Sequence, residues 1–240
     1  MKSNFAETLY EWRHLWKFSP LWEKMVCVTV VVLSSLRMAV YVPQSLAVGN
    51  AVYGFLDPAF WGVWIAPTFI LLLWAGTVKR SPMELTRRPA SAQLRVNNAW
   101  LWCAAVLVSC YYSALYAALC RAMGEGRLVA GVFWPLSLAV QTLFALVVLG
   151  LVMQILTAFG VGWGRVVPVM LTAMVLLPWA LSSLPDVWLE LAFFFSYPML
   201  GDIRTVLRLK CLVFIAVALV LSALNRAMYG RVDHVEGGSL

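Results

Sequence analysis

Few side chains in this sequence could do chemistry, and their spacing argues against most kinds of it. The two histidines, His14 and His234, both lie in polar ends of the chain. No histidine-based metal site or catalytic triad is therefore expected within an apolar segment. The five cysteines, Cys27, Cys103, Cys110, Cys120 and Cys211, form no CxxC pair and have no metal-ligand spacing. All but Cys120 lie well inside apolar runs, where a thiol behaves as a small hydrophobe. Cys103 and Cys110 fall on one face of one helix and read as packing residues. There is no GxxxxGK[ST], no GxGxxG after a strand, no HExxH and no GxSxG. Asp57, Asp186, Glu190 and Asp202 sit at the edges of apolar runs rather than inside them. An intramembrane enzyme or a self-powered proton pump would usually place carboxylates in its spans. The sequence thus predicts no catalytic residue, no cofactor site and no metal site in this chain.

Three polar side chains do lie inside apolar runs. Arg37 is the one ionisable group firmly within a predicted span, and such a charge is a functional hypothesis by default. It could line a path, pair helices, snorkel outward, or bind a backbone carbonyl or an acidic lipid. Gln141 and Gln154 lie nearly four turns apart on the fourth run and read as interhelical hydrogen-bond donors.

The elements that must carry these residues follow from composition. The chain has 240 residues, of which 62% are hydrophobic and 12% charged. Its mean hydropathy is +0.84. Soluble domains are about 45–50% apolar and about 25% charged. No soluble fold could bury this much apolar surface, so the sequence predicts an all-α integral membrane protein. Long unbroken apolar runs exclude a barrel, which needs alternation. A bilayer core about 30 Å thick needs about 20 apolar residues per helix. Six runs qualify, over 25–43, 60–78, 99–120, 129–159, 166–184 and 206–225. The last is long enough if Arg208 and Lys210 snorkel to the interface. The whole chain is one transmembrane domain with no convincing internal repeat. A polar stretch precedes the first run, so signal cleavage is not expected.

Orientation follows from the cations. With the amino terminus inside, most of the 18 Lys and Arg fall on the cytoplasmic side: Lys2, Arg13, Lys17 and Lys24, then Lys79, Arg80, Arg87, Arg88 and Arg95, then Arg165, Arg226 and Arg231. Both termini, including the 226–240 tail, are therefore expected in the cytoplasm of a cell carrying this chain in its plasma membrane. The net charge of +7 marks these loops and does not imply a nucleic-acid partner.

Three segments outside the spans carry structure. Over residues 1–24, Phe5, Leu9, Trp12 and Trp16 share one helical face opposite charged residues, which predicts an amphipathic helix in the inner interface. Ser19-Pro20 breaks it. In the 79–98 loop, Ser81-Pro82-Met83-Glu84 is a helix start, Pro89 ends that short helix, and Ser91 can cap the next. Over 185–205, Trp188, Phe193 and Phe195 are too apolar for a free loop, although Asp186 and Asp202 bracket them. Two short helices dipping into the outer leaflet are expected there, the second running from Asp202 toward Leu209.

An interfacial first helix, six spans, a helical first cytoplasmic loop and short outer helices between spans five and six resemble the permease subunit of a type-2 ABC exporter. Glu84-Leu85-Thr86-Arg87-Arg88-Pro89-Ala90-Ser91 is similar to the E…L…RP-[small]-S stretch of the first cytoplasmic loop in such permeases. Small permeases of bacterial peptide-antibiotic export and self-immunity have this size. The resemblance implies that Met83, Glu84, Leu85, Arg87 and Arg88 form a coupling helix docked on a separate cytoplasmic ATPase subunit, which would hold the ATP and Mg. It implies a second permease copy or a sister permease as a further partner, besides membrane lipid. Few polar residues face a predicted path, which favours a lipid, a hydrophobic drug or an amphipathic peptide as cargo. A non-transporting membrane scaffold and an intramembrane enzyme without a familiar motif are the alternatives.

Overall fold

A computed structural model describes residues 20–47, 60–77, 90–123, 133–181 and 203–231. These residues are helical, with no strand among them. Helix α1 runs Leu21–Ala47. It starts directly after Pro20, whose carbonyl accepts the first backbone bonds from Glu23 at 3.2 Å and Lys24 at 3.5 Å. Glu23 in the first turn complements the positive end of the helix dipole.

The next element opens as a π-turn over Trp61–Ile65 and continues as α2, Ala66–Gly76. The reason is Pro67. A proline in a helix has no N–H to give, and its ring crowds the carbonyl four residues back. The wider turn relieves that crowding, and Ala66 N–H bonds Trp61 O instead.

Helix α3, Ala90–Ala122, has 33 residues. At 1.5 Å per residue it is about 50 Å long, well beyond the ~30 Å apolar core of a bilayer. Its surplus lies at the polar start, around Gln93, Arg95, Asn97 and Asn98.

Helix α4 is Phe133–Ala158 and α5 is Trp163–Leu181. The turn between them is explicit in the backbone. Val161 N–H reaches Leu156 O at 3.3 Å, and Gly160 N–H reaches Thr157 O at 3.1 Å. Gly160 takes φ 84°, the left-handed value this helix stop requires. Gly162 O then accepts from Arg165 and Val166 and starts α5.

Helix α6 is Ile203–Arg231. Its beginning corrects one expectation: residues 203–209 are not a separate short helix but the first turns of α6. The first of the two short outer helices lies outside the described residues.

Neighbouring helices alternate in direction. Trp22 meets Trp74 at 5.6 Å and Tyr41 stacks on Phe60 at 4.8 Å, so α1 and α2 are antiparallel. Trp100 reaches Leu72 and Tyr112 reaches Thr68, so α2 and α3 are antiparallel too. Leu101, early in α3, packs on Gly150, late in α4. By contrast α4 and α6 run parallel, because Lys210 meets Gln141 and Asn225 meets Gln154.

Helix α4 is the axis of the bundle and the most enclosed of the long helices, while α1 and α6 are the most open. Close approach at its centre depends on Gly150. A Cβ there would stand 2.9 Å from Leu101 Cδ1 and 3.1 Å from Phe69 Cζ. Small residues permit such contact in a membrane, where apolar faces gain nothing by leaving lipid.

Four helical stretches, Leu21–Gln44, Gln93–Ala122, Leu136–Ala158 and Arg208–Tyr229, are long and apolar enough to cross a membrane. Two shorter apolar helices, Trp61–Gly76 and Trp163–Leu176, accompany them. The protein is a membrane-embedded helical bundle.

Candidate functional site

Polar side chains gather at three places inside the bundle. The first is the seam between α4 and α6. Lys210 is 7% exposed, and it is the only charged residue in the buried set among the described residues. Its Nζ donates to Gln141 Oε1 at 2.9 Å, and Gln141 Nε2 donates to Ser137 O at 3.4 Å. About a turn along, Phe144 and Phe214 stack with centroids 4.0 Å apart. Further along, Asn225 Nδ2 donates to Gln154 Oε1 at 2.8 Å. By helical rise the two polar contacts are about 20 Å apart.

This seam corrects one expectation: Lys210 does not snorkel to the interface, because Lys210 and Phe214 are one turn apart and share the face that α6 turns to α4. Arg37 lies within the candidate span Leu21–Gln44. It is exposed on a flank of α1, and among the described residues it has no hydrogen-bond or ion-pair partner. Gln141 and Gln154 each accept a bond across the seam, where the sequence suggested donors.

The second place joins α1, α2 and α3 through hydroxyls. Tyr112 OH hydrogen-bonds both Ser34 Oγ and Thr68 Oγ1, the latter at 2.9 Å. Beside it, Ser35 Oγ and Tyr111 OH are 2.8 Å apart. Each aliphatic hydroxyl also has an acceptor on its own helix. Ser34 Oγ lies 2.7 Å from Val30 O, Ser35 Oγ 2.6 Å from Val31 O, and Thr68 Oγ1 2.9 Å from Trp64 O. With its single proton Tyr112 donates to one of Ser34 and Thr68 and accepts from the other, and whichever of these two accepts can give its own proton to the carbonyl on its helix.

The third place is the junction of α2 and α3, which flanks residues 78–89. Trp100 Nε1 donates to Leu72 O at 3.3 Å. The Trp100 ring lies over Gly76, where any Cβ would overlap it. Thr77 Oγ1 donates to Leu73 O at 2.6 Å and fastens the end of α2.

Further polar atoms are buried without a hydrogen-bond partner: Ser109 Oγ, Ser113 Oγ, Thr142 Oγ1, Gln154 Nε2 and Asn225 Oδ1. The interior is more polar than the apolar runs implied. All five cysteines are free; Cys27 and Cys120 are buried, whereas Cys110 faces outward. Among the described residues, no group of three His, Cys, Asp or Glu stands together as a metal site.

Several predicted residues lie outside the described part of the chain. These are Met83, Glu84, Leu85, Arg87 and Arg88 of the coupling segment, Phe5, Leu9, Trp12 and Trp16 of the first helix, and Trp188, Phe193 and Phe195 of the outer segment. Sequence reasoning missed Tyr112, Lys210 and Asn225 as contact residues. The adjacent pairs Ser34-Ser35 and Tyr111-Tyr112, each inside an apolar run, were the available signal for the hydroxyl cluster.

Compared with known proteins, no family model, no curated protein and no solved structure matches this chain.

Proposed function

We propose that this chain is the membrane-spanning permease subunit of an ATP-driven exporter whose ATPase is a separate cytoplasmic protein. It would carry no catalytic site of its own, and it would move a lipid, drug or amphipathic peptide. The observation that carries this reading is the α2–α3 junction. Residues 78–89 join α2 to α3, and the end of α2 is fastened to α3 by Trp100 on Leu72 and Gly76, about 15 Å along α3 from its start. From there α3 continues as one rod of 33 residues. A push on residues 78–89 would reach the α2–α3 pair through that contact.

In this reading the chain makes six crossings. Helices α4 and α6 run parallel, so the chain between them must return across the bundle, and α5 with its 19 residues covers about 28 Å of that return. By the same logic α2 and its π-turn return the chain between α1 and α3. With the amino terminus inside, both termini and the 79–98 segment would share the cytoplasmic side, the orientation the cation bias favours. ATP binding would then shift the bundle between inward and outward access through differential affinity for the two states.

The test changes the coupling segment alone. Glu84→Pro removes a backbone donor near the start of the expected helix and restricts the residue before it. Reversing Arg87 and Arg88 to Glu opposes any acidic groove on the ATPase and should chiefly slow docking. Both variants should insert normally, yet lose transport and stimulated ATP hydrolysis in reconstituted vesicles. Wild-type transport by both would reduce this loop to a topology signal.

A further inference from the structure

Arg37 stands in an unusual position for a membrane helix. It lies within Leu21–Gln44, a stretch apolar enough to span, and it is exposed. Around it Leu33, Leu36 and Val40 are also exposed, so this side of α1 faces out of the bundle. Among the described residues nothing pairs with it. A charge at such a depth is costly unless it escapes to water or finds a partner.

Escape is poorly served by the helix. The nearer end of the span is Gln44, about 10 Å away along the axis, whereas Leu21 is about 24 Å away. Every Cα–Cβ bond in an α-helix leans toward the amino terminus. The Arg37 side chain therefore starts toward the far end and away from the nearer headgroups. A second copy of this chain does not supply the missing charge either. Of its 11 carboxylates, Glu23 lies at the very start of Leu21–Gln44, about 21 Å along the helix from Arg37, and others near the apolar runs, such as Asp57 and Asp186, sit at their edges. Tyr41 stacks on Phe60 near the start of the second helical element, and Arg37 is one turn deeper still.

We infer that the Arg37 flank of α1 docks a transmembrane helix of a different membrane protein, one that carries an Asp or Glu at the depth of Arg37. The exposed Leu33, Leu36 and Val40 supply the apolar part of the contact, and the ion pair fixes depth and partner identity. The inference narrows the second permease of the exporter reading to a sister subunit. The contact itself does not depend on transport, because a scaffold would need the same neighbour.

The experiment places a photo-crosslinking residue at Leu36 in the full chain, in the membranes that naturally contain it, and identifies the adduct by mass spectrometry. The expected adduct is a membrane protein with a carboxylate inside one of its spans. Its yield should fall about tenfold or more in Arg37→Leu, the effect of losing roughly 1.4 kcal/mol or more of pairing. Arg37→Glu should abolish it, and changing the partner carboxylate to Arg in that background should restore it. Inserted protein is quantified in parallel, with Arg37→Gln as a second neutral variant. Adducts consisting of a second copy of this chain, or of lipid alone, would overturn the inference. So would a yield that ignores the charge at position 37 or a swap that restores nothing.

Discussion

The α4–α6 seam and the α1–α2–α3 hydroxyl cluster both tie helices together with polar groups, but they differ in what happens when a tie is cut. Ser34, Ser35 and Thr68 each have a carbonyl on their own helix within bonding distance. If Tyr112 lets go, they remain satisfied. Asn225 Nδ2 instead gives its bond across the seam to Gln154, and Lys210 Nζ gives one across it to Gln141. A buried amide that loses its partner bears a desolvation penalty of about 1–3 kcal/mol, and a hydrogen bond from a charged amine is worth about 1.5–3 kcal/mol. Hydroxyl ties are forgiving, and amine and amide ties are not. The seam should therefore hold one register firmly, while the cluster allows α1 to shift at small cost.

The difference can be broken most sharply at Gln141. Gln141→Leu removes the acceptor that Lys210 Nζ has across the seam and should destabilise the bundle by about 2–3 kcal/mol, the worth of a hydrogen bond from a charged group. Adding Lys210→Met should recover part of that loss, since no charged amine is then left facing an apolar side chain. Reversible unfolding in mixed detergent–SDS micelles reads both. If the double variant is as unstable as the single, the seam is not the pairwise contact described here.

Gly150→Val comes next. The added carbons meet Leu101 and Phe69 at close range, and overpacking of this kind costs about 1–3 kcal/mol. The same unfolding assay should show the loss, and Leu101→Ala in the same chain should relieve part of it. Asn225→Leu should cost about 1 kcal/mol, near the upper part of what membrane hydrogen bonds measure.

The smallest effect belongs to the hydroxyl cluster. Tyr112→Phe should cost about 0.6 kcal/mol, the average for an interhelical hydrogen bond in a membrane. A loss as large as that of Gln141→Leu would erase the contrast between the two regions.

What the sequence made legible here was the set of things that depend on local pattern. Long apolar runs marked the helices, and Ser19-Pro20 marked the break before α1. What it hid depends on lateral register. A lysine near a span end looks the same whether it rises to the headgroups or turns sideways. Only the face shared with Phe214, and the parallel neighbour α4, decide that for Lys210. For Arg37 the depth is visible in the sequence, but the side of α1 it occupies depends on where α2 and α3 pack. The polar interior was underestimated because serines and threonines scattered through apolar runs do not interrupt them. The coupling segment, the first helix and the outer segment lie outside the described residues, so their reading still rests on pattern and resemblance.

In the proposed exporter, force on residues 78–89 would reach the bundle through the α2–α3 junction. The direct measurement is the ratio of cargo moved to ATP hydrolysed, in vesicles containing this chain with its ATPase partner, for wild type and Trp100→Leu. That change removes the bond to Leu72 O and uncovers Gly76, while leaving residues 78–89 intact. The account predicts that the ATPase still docks and is still stimulated, but that cargo moved per ATP falls severalfold. An unchanged ratio at equal insertion, or the absence of any ATP-hydrolysing partner for this chain, would contradict it.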